Sequence, residues 1–157
     1  MKENTKNYII SSIIALAAGG LSALLTAGSM DLYSEITKPP LTPPSVLFPI
    51  VWTVLYILMG ISSAIIYNQK DEKTGEVRSA LTVYGINLFL NFFWSIIFFN
   101  MRAFLFSFIW LVILWIVILV MIIRFYRIRP IAGILQIPYL LWVTFAGYLN
   151  LAIFLLN

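Results

Sequence analysis

Cysteine and histidine are both absent from this chain of 157 residues, and only sixteen residues carry a formal charge. Without thiol or imidazole there is no Ser-His or Cys-His nucleophile pair, no zinc site of the usual ligand set, no disulfide and no His- or Cys-ligated haem. Charge is scarce too, at 10% of residues against about 25% in an ordinary soluble domain. What is abundant is apolar surface: 62% of residues are hydrophobic, 16% are aromatic, and the mean hydropathy is +0.98. These values place the chain among membrane proteins.

The positions of the charges divide the chain. Five intervals carry none: 7–30, 39–69, 79–101, 103–123 and 130–157, with lengths of 24, 31, 23, 21 and 28 residues. Each exceeds the roughly 18–20 residues that an α-helix needs to cross about 30 Å of hydrocarbon. Barrel strands need only about 9–11 residues, so the intervals predict helices. The reading is an all-α membrane protein, one domain built as a five-transmembrane-helix bundle. Its spans fall near 7–28, 44–68, 79–100, 103–124 and 130–155, with a Pro-rich loop at 29–44. The first interval is too long for the roughly 7–15-residue core of a signal peptide and is read as an uncleaved span.

Five spans put the termini on opposite sides. The N-terminus and the segments 69–78 and 124–129 hold eight of the ten Lys and Arg, whereas Lys38 and Arg102 stand alone on the other side. The positive-inside rule predicts a cytoplasmic N-terminus and an outer C-terminus. The basic residues form neither a single face nor a run interleaved with stacking aromatics, so nucleic acid is not an expected partner.

Four prolines crowd KPPLTPP at 38–44. Each fixes φ and extends its predecessor, predicting a stiff arm at the outer surface, with Thr42 capping the next helix and Pro43 in its first position. Inside the spans there is no Asp, Glu, Lys or Arg, which disfavours ion-coupled transport and acid-base or metal-assisted hydrolysis at depth. The remaining polar groups fall in helical stripes. They are Trp52, Tyr56, Met59 and Ser63 on the second span, Tyr84, Asn87, Asn91, Trp94 and Ser95 on the third, and Tyr139, Trp142, Ala146 and Asn150 on the fifth. An unpartnered buried amide costs about 1–3 kcal/mol, so Asn87 and Asn91 should face the protein interior or a ligand. Three such stripes suggest a shared cavity; helix-to-helix hydrogen bonding and interfacial belts are the alternative. The fourth span has Ser107 as its one polar, non-aromatic side chain between 103 and 123, which suits a helix turned mostly to lipid or to a partner subunit. On the first span Ser11, Ala15, Gly19, Ala23 and Ala27 form a small-residue ridge, open to packing within the bundle or across a dimer.

The arm KPPLTPP (38–44), FPIVWTVLY (48–56), NLFLNFFWSIIFF (87–99) and PYLLWVTFAGYLN (138–150), on five spans, resemble the translocator protein family, also called the TspO/MBR or tryptophan-rich sensory protein family. The resemblance runs over essentially the whole chain. It implies a bundle that is commonly a homodimer, with a ligand cleft beneath the first loop. The implied ligands are porphyrins and related hydrophobic molecules, with the porphyrin a ligand rather than a resident cofactor. Carried over by position, it assigns Trp52, Tyr56, Asn91, Trp94, Trp142 and Ala146 to the cleft, and the stripe on the third span adds Asn87. Pro43 and Pro44 belong to the covering arm, and Tyr33 to the aromatic upstream of it. Stacking on Trp52 and Trp142, hydrogen bonds from Asn91 and Trp94, and propionates near Lys38 or Arg102 describe the expected complex. Leu41 stands where the family arm usually has Trp, which argues against the light-dependent porphyrin breakdown of some members. The segment after Asn150 lacks the Tyr and Arg of the eukaryotic cholesterol motif, pointing to a bacterial member in the cell membrane.

Overall fold

The computed structural model describes residues 2–157. Charge-free sequence becomes helix except across 39–46: α1 (Lys2–Thr26), a 3-10 turn (Ala27–Ser29), α2 (Leu32–Glu35), α3 (Leu47–Tyr67), α4 (Thr74–Ser95) with a π-helical turn (Ile96–Asn100), α5 (Phe104–Ile128), α6 (Pro130–Ile134) and α7 (Ile137–Leu156). Five of these units, with α6 and α7 counted together, are long and apolar enough to cross a membrane. The protein is an all-α, multi-pass membrane bundle.

Several helices run past the charge-free intervals. α4 begins at Thr74 and takes Glu76 and Arg78 into its first turns, and α5 carries Arg124 and Arg127 in its last ones. Adding residues to an existing helix gains one hydrogen bond per residue, so charge outside the hydrocarbon does not stop it. The fifth span is divided. Pro138 supplies no amide N–H to the preceding turn, and α6 closes at Leu135 before α7 opens.

α1 packs chiefly on α3 and also on α4; α4 packs on α5, α5 on α7, and α6 bridges α5 and α3. Glycine permits the closest of these approaches. A Cβ on Gly60 would lie 2.5 Å from the backbone of Ser12, and one on Gly19 would lie 2.3 Å from the Tyr56 ring. The small side of α1 therefore packs within the bundle. Its buried members are Ala15, Ser22 and Thr26, while Ala23 and Ala27 are exposed, so the ridge turns with the helical period of 3.6 and departs from a strict four-residue repeat. α5 is likewise half core. Ser107, Leu111, Leu114, Ile118, Met121, Phe125 and Ile128 are buried at alternating spacings of three and four, and Ile109, Ile113 and Ile116 look outward. Apolarity on all sides had concealed that face.

The first loop is more structured than an extended arm. Leu32 on α2 is buried against Phe98 and Ile153, at the ends of α4 and α7, and so plugs the looped end of the bundle. The proline segment is broken by a turn at Leu41, whose φ is +70°. α3 begins only at Leu47, after Val46, so neither Thr42 nor Pro43 starts it. Thr42 Oγ1 donates to the Pro39 carbonyl instead, at 2.6 Å. Pro44 closes a turn through its carbonyl to Leu47 N, 3.0 Å, and this turn delays the helix.

Candidate functional site beneath the first loop

The inward stripes of α3, α4 and α7 meet in one polar cluster. Tyr56 Oη donates to Asn91 Oδ1 at 3.1 Å, Asn91 Nδ2 donates to Tyr139 Oη at 2.7 Å, and Tyr139 Oη donates to Asn87 Oδ1 at 2.6 Å. Met59 Sδ lies 4.0 Å from Asn87 Nδ2. All five side chains are buried. In hydrocarbon no water is present to take over these bonds, so the cluster closes on itself.

A second cluster lies nearer the looped end. Asn150 Oδ1 accepts from Trp94 Nε1 and from Ser107 Oγ, both at 3.1 Å, and Asn150 Nδ2 donates to the Phe104 carbonyl at 2.9 Å. The polar atoms of Asn91 and of Trp94 are thus occupied within the bundle. The Trp94 N–H is spent in this conformation, and Asn91 keeps one amide N–H beyond its bond to Tyr139.

Between the polar cluster and the loop stand the aromatic side chains. Trp52 packs against Tyr56 and edge-on against Tyr139, with ring centroids 5.7 and 6.2 Å away. Phe48 lies edge-on to Trp142 at 5.8 Å and to Tyr33 at 5.6 Å. Edge-to-face rings at these separations attract through their quadrupoles. Trp52 and Trp142 are each half-buried, and Ala146, one turn from Trp142, is buried. Trp142 Nε1 is buried and has no partner. Among the described residues it is the one indole N–H that is both buried and without a partner.

The roof is held from several sides. Tyr33 Oη donates to the Pro43 carbonyl, and Tyr148 Oη donates to that of Pro40 at 2.8 Å. Lys38 Nζ donates to the Tyr33 carbonyl at 2.6 Å and stands 5.0 Å from the Tyr33 ring centroid. Arg102 pairs with Glu35 at 3.0 Å, tying the α4–α5 junction to α2. Asn157 pairs with both backbone groups of Thr37, each at 3.0 Å. Of the residues assigned from sequence, Trp52, Tyr56, Trp142, Tyr33 and Pro43 are joined to this ring cluster or its roof, and Asn87, Asn91 and Trp94 lie in the polar floor and wall. Pro44 takes part only through its turn to Leu47. Sequence reading missed Phe48, Tyr148 and Leu32; Phe48 and Tyr148, each inside a quoted motif, had a visible signal.

Residues 11–156 match the TspO/MBR family. The chain belongs to the TspO/MBR family. Among its relatives, the tryptophan-rich protein TspO of Chlorobaculum tepidum is 41% identical over 80% of this chain and 78% of its own length. The tryptophan-rich protein TspO of Archaeoglobus fulgidus is 36% identical over 95% and 96%. Protein CrtK of Rhodobacter capsulatus is 31% identical over 96% and 92%. The last two matches span nearly the whole TspO/MBR chain.

Proposed function

We propose that this protein binds tetrapyrroles and similar flat hydrophobic ligands in the ring cluster beneath the first loop, in the bacterial cell membrane with its N-terminus in the cytoplasm. The observation that carries the reading is two sets of packed rings beneath the roof, Trp52 with Tyr56 and Tyr139 and Trp142 with Phe48 and Tyr33, with the Trp142 N–H buried and unpartnered. Ring faces bind a flat macrocycle, each offset contact contributing about 0.5–1.5 kcal/mol beyond burial. The Trp142 N–H gives such a ligand one directional contact. Asn91 and Asn87 act at one remove, by fixing Tyr56 and Tyr139, on which Trp52 rests. Ligand carboxylates fall to Lys38, because Arg102 already pairs with Glu35. The rings are in contact, so entry requires Phe48 and the roof to move off Trp142.

The reading favours binding or sensing over coupled transport, since no ionisable side chain lies within the spans to hold an ion. The test is a protoporphyrin titration of purified protein, first in the dark and then under illumination. Saturable quenching of tryptophan fluorescence in the dark, weakened about tenfold by Trp142→Phe, is the expected result. Unchanged affinity in a Trp52→Phe, Trp142→Phe double variant would falsify the site. Loss of the Soret band under light, above that in empty detergent, would show porphyrin breakdown instead of binding alone.

A further inference from the structure

A concavity of about 290 Å³ lies at the far end of the bundle from the loop, where the first turns of α1, the end of α3 and the α5–α6 joint converge. Its wall holds Asn4, Tyr8, Asn68, Gln69 and Arg129, with Ile65 and Ile131 on the side toward the hydrocarbon. Three amides, a phenol and a guanidinium thus surround one small space. No carboxylate lines it.

Arg129 differs in setting from its neighbours in sequence. It occupies the extended residue between α5 and α6, and its guanidinium has no partner among the described residues. Asn68 accepts from Asn7 Nδ2 at 2.7 Å through its Oδ1, which leaves the Asn68 amide N–H groups free. Lys73 adds a second cation at the joint, its Nζ 3.5 Å from the carbonyl of Ile128. This face carries eight Lys and Arg against Glu3, Asp71, Glu72 and Glu76; the opposite face carries Lys38 and Arg102 against Asp31 and Glu35. The whole net charge of +4 therefore belongs to the end that holds the concavity.

We infer that the concavity is a binding site for a phosphate-bearing anion, with Arg129 forking onto the phosphate oxygens and the free amides of Asn4, Asn68 and Gln69 completing the donor set. Guanidinium matches phosphate in two parallel bonds, and basic pockets between spans at the membrane surface suit anionic headgroups. The same chemistry is offered by the phosphodiester of an anionic lipid and by a soluble phosphate. An occupant here ties α1 to α3 and α6.

The full chain, delipidated in detergent, is to be titrated with dioleoylphosphatidylglycerol, dioleoylphosphatidylcholine and inorganic phosphate, and followed by native mass spectrometry and thermal unfolding. One saturable phosphatidylglycerol adduct with a raised Tm is expected, with phosphatidylcholine retained several-fold more weakly. Arg129→Gln should weaken the adduct about fivefold to tenfold, as should Asn4→Ala with Gln69→Ala, while Arg127→Gln leaves it unchanged. Competition by inorganic phosphate at equal protection assigns the site to a soluble phosphate; its failure to compete assigns it to the lipid. Equal losses in Arg127→Gln and Arg129→Gln, or equal retention of the two lipids, would overturn the inference, since either means unspecific attraction to a basic surface.

Discussion

Leu41 holds a left-handed backbone, φ +70°, while its side chain is 80% exposed. An apolar, solvent-facing residue gains nothing there to offset a conformation that costs an L-residue about 1–2 kcal/mol. Leu41→Asn should therefore raise Tm slightly and slow proteolysis of the loop, whereas Leu41→Val should lower it, since a β-branched side chain tolerates this region least. Tyr33 offers a second reading of the same loop. Burial raises its pKa above the ordinary 10.0. Its neutral form holds the Pro43 carbonyl, and a phenolate has no proton to donate. The stability so gained is complete below pH 10 and is lost as pH rises through the higher folded value. Loop exchange measured by hydrogen-deuterium methods should rise in that alkaline window in the wild type and should show no such step in Tyr33→Phe.

At the scale of helices, two glycines, one on α1 and one on α3, should respond in opposite directions. Gly20→Ala meets nothing within 4 Å and removes a helix-interior glycine, a gain of about 0.5–1 kcal/mol. Gly60→Ala drives a methyl into the Ser12 backbone, and α1 must shift away from α3, a loss of about 1–3 kcal/mol. Thermal unfolding of the two variants in one detergent checks both signs. The polar stripes of α3, α4 and α7 were legible in sequence because lipid accepts no amide, so Asn87, Asn91 and Asn150 had to turn inward. Which atoms they would satisfy was not legible: the pairing of Trp94 with Asn150 depends on how far α4 and α7 slide past each other. The buried face of α5 left no trace in a sequence apolar all round, and the plug at Leu32 rested on one leucine in a polar stretch. Its burial is decided by Phe98 and Ile153, residues 66 and 121 positions away.

For the whole molecule, the uneven charge predicts an orientation that the absence of cysteine makes simple to measure. Single cysteines placed at Lys73 and at Leu41 should be labelled from opposite sides by an impermeant maleimide, Leu41→Cys from outside intact cells and Lys73→Cys only after lysis. The reverse pattern would invert the topology. The two ends of the bundle also differ in how they are closed, with rings and a folded loop at one and hydrogen-bonding side chains at the other. At the looped end Asn157 reads both backbone groups of Thr37 much as one nucleobase reads another. The roof over the aromatic cage is thus fastened at residue 157, and a purification tag fused directly there pulls on the latch. On the proposed reading, a tag fused after residue 157 should shift ligand affinity, and one placed ahead of Lys2 should not.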